Sequence, residues 1–489
     1  MSARFSFDCR AASTPLPHFW EHTVGSDHAR MALRADWRLQ LERAHRELGF
    51  RHVRFHGILD DDMGTLIRAD GRLLYSFFNA DNIMDYLLSI GMRPFVELSF
   101  MPTALSSGNA TVFRYQGNIT PPRDMGQWCA LIARLVEHWV ERYGVREVRH
   151  WFFEVWNEPN LAQFWTGTQQ DYFELYRRTA VTIKDVDARL RVGGPATAAN
   201  AWIRDFVEYC RIANAPLDFV STHHYPTDAF GAPGDDTATQ LSKCGRGVLR
   251  EQAQAVRQHA GRLPVYYTEW SSSSNPRDPL HDEPFASAFA VKTVLEAAGL
   301  VQGYSWWTFS DIFEENFFPA EPFHGGFGLL NVEGVAKPVY RAFELLHGLG
   351  DRQLTRKGEH PTVDAWVIRG GDRITTIITN FALPRHPVQN ETVEIVLEHC
   401  GGPARASMRR IDARHANAVA AWRRMREPQF PSPAQLARLA RESEMAEAPL
   451  LIRRARGGVS FSVTVPPQGV VAIEFAARDS PAAGGTRGC

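Results

Sequence analysis

Two stretches of the chain end in glutamates set where a pair of carboxylates could do acid and nucleophile chemistry. Residues 151–160 read WFFEVWNEPN and residues 265–274 read VYYTEWSSSS. In each, an apolar, β-prone run stops abruptly at a carboxylate flanked by polar residues or tryptophan: Glu158, between Asn157 and Pro159, and Glu269, followed by Trp270. Proline after Glu158 disfavours helical backbone there, so an extended chain is expected. Two carboxylates converging on one pocket are what hydrolysis of a glycosidic bond requires. One stays protonated and donates to the leaving oxygen; the other is ionised and attacks the anomeric carbon. Burial raises a carboxyl pKa and hydrogen bonds to the charged form lower it, so their surroundings would set the two roles. The Asn157 amide can donate and accept, which suits a sugar 2-hydroxyl. Taken singly, either glutamate reads as a solvated or salt-bridged strand end; the matching contexts favour the chemical reading of the pair.

Other residues are weighed against that pair. His223-His224-Tyr225 ends a further apolar run, Phe219–Thr222. Two histidines could bind a metal, but no third ligand has suggestive spacing. Strand alternation sends His223 and Tyr225 to one side and His224 to the other. By the same rule, one of Trp306 and Trp307 belongs to a core and the other can face a sugar's C–H surface. The serines at 271–274 lack the GxSxG elbow of a nucleophile and read as a polar loop. Asp60–Asp62 reads as a solvated loop before it reads as a cation site.

Such residues need strand ends to hold them. Apolar runs at Glu21–Gly25, His52–His56, Pro94–Ser99, Trp151–Asn157, Arg191–Gly194, Phe219–His224, Val265–Trp270 and Tyr304–Phe309 alternate with amphipathic stretches of helical length. The latter include Trp37–Leu48, Gly126–Tyr143, Gln170–Val186, Ala201–Ala213 and Pro284–Ala298. Helix-length connections between buried strands imply a parallel sheet, and eight such units imply an α/β fold of the (β/α)8 TIM-barrel type. Active sites of that fold sit at the C-terminal ends of the strands, where Glu158 and Glu269 fall. After about residue 345 the pattern turns to short β-rich segments, expected to form an accessory antiparallel β-sandwich interrupted by a helix at Ser432–Glu444. Arg4–Asp8 alternates Phe with polar residues and can join that sandwich. The expected division is a catalytic barrel over 15–345, a sandwich from 1–14 and 346–477, and a disordered tail over 478–489.

Composition narrows the function classes. The 489 residues are 44% hydrophobic and 22% charged, ordinary globular usage, with no internal repeat. Lys+Arg is 54 against Asp+Glu 55, so no basic excess supports nucleic-acid binding. No apolar run is long enough to span a membrane. The six cysteines include no CxxC pair, which supports neither a zinc site nor a disulfide framework. The N-terminus MSARFSFDCR lacks an apolar signal core, and a cytoplasmic location is expected.

With these residues in view, the chain resembles glycoside hydrolase family 39, of clan GH-A, which contains β-xylosidases and α-L-iduronidases. The resemblance is carried by VRFHGILDDDMG (53–64), FEVWNEPNL followed by FW (153–165), THHYP (222–226), YTEWSSS (267–273), WWTFSDIFEE (306–315), FHGGFGLLN (323–331) and IDARHANA (411–418). It implies Glu158 as general acid/base and Glu269 as nucleophile, with Asn157 at the 2-hydroxyl. His56, His223 and Tyr225 would line the glycone subsite, Trp307 would be the stacking platform, and Glu314 or Glu315 would bind distal hydroxyls. It also implies a barrel with a sandwich built from both chain ends, and neither cofactor nor metal. The expected activity is that of a retaining exo-β-xylosidase acting on xylo-oligosaccharides or other small glycosides. Related α-L-iduronidase or α-L-arabinopyranosidase activity, an endo-acting polysaccharide hydrolase and a non-catalytic sugar-binding protein are the alternatives. An iduronidase would need a cationic partner for the substrate carboxylate. No nucleic-acid or membrane partner is expected, and a homo-oligomer through the sandwich or the Ser432–Glu444 helix is compatible with the sequence.

Overall fold

Eight parallel strands close into a barrel in chain order: Thr23–His28, His52–His56, Arg93–Leu98, Phe152–Val155, Arg191–Thr197, Phe219–His224, Val265–Trp270 and Gly303–Trp306. The computed structural model describes residues 3–226, 234–316, 318–402, 405–455 and 457–476. The expected tail over 478–489 lies outside them. The second, sixth and seventh strands have the predicted bounds. The first begins at Thr23, not Glu21, because Phe19–Glu21 forms a 3-10 turn. The eighth ends at Trp306, short of the predicted Phe309.

The helices between the strands follow from capping and apolar spacing. Met125–Tyr143 begins where the Asp124 side chain accepts from the backbone N–H of Gly126 and Gln127. Its buried face is Trp128, Leu131, Ile132, Leu135, Val136 and Trp139, a three-four repeat that lies on one side of a helix. Gln169–Val186 starts with a reciprocal cap between Thr168 and Asp171. Pro284–Glu296 differs: nearly all of its residues are buried, because it lies between the barrel and the second domain. Phe285 and Phe289 pack there against Phe381.

That second domain is two sheets. One has five strands and contains Ala3–Asp8; the other has seven and contains Val363–Gly370, Arg373–Asn380 and Gly469–Ala476. Phe5, Phe7, Val367, Ile378, Ile395 and Phe461 are among the side chains buried between them. The strand Thr14–Pro15 pairs with Arg352–Gln353 in the seven-stranded sheet. The pairs are antiparallel except one: Ala3–Asp8 runs parallel to Glu391–Glu398, so the sandwich is not uniformly antiparallel as expected. The whole barrel connects these two strands, so no hairpin constrains their direction. The predicted helix near 432–444 is present as Pro433–Glu442, capped by Ser432. With Ala418–Arg424 it buries Trp422 and Leu439 against Phe323, in the long loop after the eighth strand.

Candidate active site

The barrel interior is layered. At the N-terminal end of the strands, His22, His52, Phe95, Phe152, Phe219 and Tyr266 fill the lumen, with Phe95 and Phe152 stacked at 5.0 Å. Two residues further along the second strand, Arg54 opens an ionic layer. It donates from Nε to Glu154 Oε2 (2.5 Å), from Nη1 to Glu269 Oε1 (2.7 Å) and from Nη2 to Asn157 Oδ1 (3.0 Å). Nη2 also lies 2.6 Å from Glu97 Oε2. Burial works against the guanidinium charge, but Glu154, Glu97 and Glu269 outweigh it and hold Arg54 more firmly protonated. Arg54 is not among the site residues expected from the sequence. The available signal was an arginine on the inward face of an apolar strand, in phase with His52 and His56.

Two residues further still, His56 reaches the mouth, where an open cavity of about 430 Å3 is lined by His56, Asn157, Glu158, Tyr225, Glu269, Trp307 and Glu315. Its volume lies within the ~300–1,000 Å3 range of small-ligand sites. Glu158 follows the fourth strand and Glu269 sits near the end of the seventh. Thr268 and Glu269 both point inward because the ladder slips there: Thr222 pairs with Tyr267, but His223 pairs with Glu269. Such a bulge breaks the two-residue alternation.

Glu158 is not extended as expected. Its φ is 42°, and that of Trp156 is 73°. The proline disfavours the right-handed helical region, while the Glu158 N–H donates to Ala196 O at 2.8 Å and draws the chain toward the fifth strand. Left-handed backbone in a non-glycine residue costs about 1–3 kcal/mol and recurs at functional sites.

The two carboxyl groups have different surroundings. A carboxylate oxygen of Glu158, one of Glu269 and a ring nitrogen of His223 all lie within 4.8 Å of one another. Burial, and then the negative charge of Glu269, push the Glu158 carboxyl well above its usual range. Both oxygens of Glu269 accept hydrogen bonds, one from Arg54 and the other from the Tyr225 hydroxyl at 3.0 Å, the pattern a carboxylate presents. His223 Nδ1 is 2.9 Å from Glu158 Oε1. Burial and the neighbouring Arg54 and His56 charges hold the His223 ring neutral, well below its usual range.

The other expected residues divide as follows. His224 turns outward, stacked on Tyr267 and hydrogen-bonded to the Tyr304 hydroxyl at 2.7 Å, as alternation predicts. Trp307 lines the cavity beside His56, while Trp306 is core and donates to Phe327 O at 3.1 Å. His56 hydrogen-bonds Glu97 at 2.7 Å and lies 3.5 Å from Glu315. Burial opposes its charge, but Glu97 and Glu315 outweigh burial and hold it as imidazolium. Glu315 faces the cavity, and burial pushes its carboxyl up to about 7. Glu314 does not line it. Its carboxylate is 3.8 Å from His28, and its N–H donates to Asp27. Neighbours in an irregular segment need not share a side.

One further reading is corrected, and the rejection of a serine nucleophile stands. Asp60 is not a solvated loop residue: it is buried and accepts from the Phe100 N–H at 2.8 Å. Ser273, Asp278 and His281 do meet, but Ser273 donates to Asp278 and His281 faces Gly325 O, deep in the fold. That order does not activate a serine. As for cations, Glu158, His223 and Glu269 supply a compact donor set, yet each already has hydrogen-bond partners. Among the described residues, no helix is long and apolar enough to cross a membrane.

The chain is similar to known proteins over most of its length. The family model described as glycosyl hydrolases family 39 matches residues 4–459. A β-xylosidase of Caldicellulosiruptor saccharolyticus is 46% identical over 461 residues, 93% of this chain and 94% of that protein. A β-xylosidase of Geobacillus stearothermophilus is 36% identical over 480 residues, covering 93% and 92%. Among solved structures, a monomeric β-xylosidase of Caulobacter crescentus superposes with a TM-score of 0.86 at 35% identity, over 97% of this chain and 99% of that one.

Proposed function

Because the chain belongs to glycosyl hydrolases family 39, we propose that it is a retaining exo-β-xylosidase releasing xylose from the non-reducing end of short xylo-oligosaccharides. The observation that carries this is the close approach of Glu158 and Glu269 in one cavity. Retaining glycosidases keep their carboxyl groups ~5–5.5 Å apart and inverting ones ~6.5–9.5 Å, and one oxygen of each carboxyl lying within 4.8 Å of the other supports the retaining reading.

In the first step Glu269 attacks the anomeric carbon while Glu158 gives its proton to the leaving oxygen. The glycosyl–Glu269 bond forms as the glycosidic bond breaks. Glu158, now a carboxylate, takes a proton from water, and the water oxygen displaces Glu269. Two inversions retain configuration. Arg54 and Tyr225 keep Glu269 aimed, and they receive the carboxylate when it leaves. Asn157 has its oxygen committed to Arg54, which frees its N–H2 for the sugar 2-hydroxyl. Trp307 offers a face to the ring, and His56 and Glu315 face the remaining hydroxyls.

The charge of the cavity favours a neutral sugar over a uronate. A uronate carboxylate calls for a free cation, and among the described residues the cavity is lined by no Arg or Lys and does include Glu315. His56, the charged ring there, is already held by Glu97.

The test is turnover of p-nitrophenyl β-D-xylopyranoside, with the anomer first formed read by proton NMR. The β-anomer of xylose is expected, and Glu269→Gln should lose at least about 10^4-fold in kcat. Release of α-xylose, or a fully active Glu269→Gln, would overturn the assignment.

A further inference from the structure

A line of hydrogen bonds descends from Glu158 into the barrel. Glu158 Oε1 meets His223 Nδ1 at 2.9 Å; His223 Nε2 meets Thr268 Oγ1 at 3.1 Å; the Thr268 hydroxyl meets Glu154 Oε1 at 2.8 Å. The line leaves the loop after the fourth strand, crosses the sixth and seventh, and returns to the fourth strand at Glu154. His223, Thr268 and Glu154 are sealed from solvent. Resting on the reading of Glu158 as the acid/base, we propose that Glu154, acting through Thr268 and His223, is a second holder of the catalytic proton.

The chemistry of the four groups allows two complete arrangements. In the first, protonated Glu158 donates to Nδ1, Nε2–H donates to Thr268, and Thr268 donates to the Glu154 carboxylate. In the second, every proton has moved one bond along. The Glu158 O–H breaks as Nδ1–H forms, Nε2–H breaks as a new Thr268 O–H forms, and the old Thr268 O–H breaks as Glu154 gains one. One proton has passed from Glu158 to Glu154, no oxidant or reductant takes part, and His223 and Thr268 are neutral at both ends. Every buried donor has an acceptor in each arrangement, which is the condition for a buried polar network to persist.

The surroundings fit such sharing. Glu158 faces Glu269, His56, Arg54 and Glu315; Glu154 faces Arg54 and Glu97; His223 faces Arg54, His56 and His224. Burial raises the carboxyls of both Glu158 and Glu154, which favours a proton at each end of the line. Burial also keeps the ring between them uncharged. The two carboxyls therefore titrate as a linked pair, not as independent groups. Glu154 is not placed to touch sugar and is a positioning residue: it sets which ring nitrogen of His223 carries the hydrogen, and so whether Nδ1 accepts from Glu158 or donates to it.

Thr268→Val removes the hydroxyl while keeping the shape. His223 Nε2 then has no partner, and a buried N–H left unpaired costs more than an unpaired lone pair. The ring hydrogen moves to Nδ1, where it stabilises ionised Glu158. The alkaline limb of kcat/KM against pH should therefore move to lower pH by about one unit, and Thr268→Ser should restore it. Glu154→Gln, whose amide donates to Thr268 and reverses the chain, should move the limb the same way. An unmoved limb in both Thr268→Val and Glu154→Gln would overturn the relay. The underlying reading is checked separately with Glu158→Ala on an activated xyloside with added azide. Loss of the alkaline limb there confirms that the limb belongs to Glu158; a limb that persists removes both the acid/base assignment and the relay.

Discussion

Arg54 Nη1 lies 2.7 Å from Glu269 Oε1, and the same guanidinium holds Glu154, Glu97 and Asn157. One side chain from the second strand thus ties together carboxylates carried by the third, fourth and seventh. The oxygen that would become the leaving carboxylate is fixed before any sugar arrives.

Arg54→Met should be severe in stability as well as in rate. Removing one partner of a buried ionic network typically costs about 3–5 kcal/mol, because the other charges are left uncompensated. Thermal unfolding should show that loss, and kcat/KM should fall on the order of 10^2–10^3-fold. Arg54→Lys should recover part of the stability and little of the rate, since one ammonium cannot span the positions of the planar fork.

Stability should carry the signature of Glu315. Its carboxyl moves from an ordinary 4.5 to about 7 on folding. Below pH ~4.5 it is protonated in both states and costs nothing. Between about 4.5 and 7 the unfolded chain ionises first, so stability falls by roughly 3 kcal/mol and then levels off. Glu315→Gln should therefore match the wild type in melting temperature at pH 4.5 and exceed it at pH 8. A difference that does not change with pH would refute this.

Gly25 should control the sugar platform from beneath. A Cβ at that position would come within 2.5 Å of Trp307 Cε3 and 3.1 Å of Trp306 O. Gly25→Ala should tilt the indole and raise KM for xylosides about tenfold, while both limbs of the pH profile stay in place. Overpacking at such a contact typically costs about 1–3 kcal/mol, which denaturant unfolding would register.

Much of this site was legible because strand ends impose simple parity. Phe219–His224 has the predicted bounds, and alternation alone sends His223 and Tyr225 inward and His224 out. At the end of the eighth strand Trp306 and Trp307 likewise part, one to the core and one to the cavity. Parity fails where the backbone departs from it. The bulge at Thr268 turns two consecutive residues inward, and nothing in YTEW announces it. Glu314 and Glu315 sit in an irregular segment where neighbours follow no rule. Pro159 disfavours one backbone region at Glu158 but does not choose between the others; a hydrogen bond to Ala196, on another strand, makes that choice. Arg54 went unread for another reason: parity places it inward with His52 and His56, but its role shows only once its three carboxylates, scattered over the chain, are brought to it.

The parallel pairing of Ala3–Asp8 with Glu391–Glu398 has a consequence for synthesis. Ala3–Asp8 leaves the ribosome nearly four hundred residues before Glu391–Glu398, its parallel partner, roughly twenty to eighty seconds at ~5–20 residues per second. During that interval the barrel can assemble while Phe5 and Phe7 wait on an unpaired edge. The nascent chain therefore carries an adhesive ribbon while the barrel is made, and closing the sandwich over that ribbon follows the barrel.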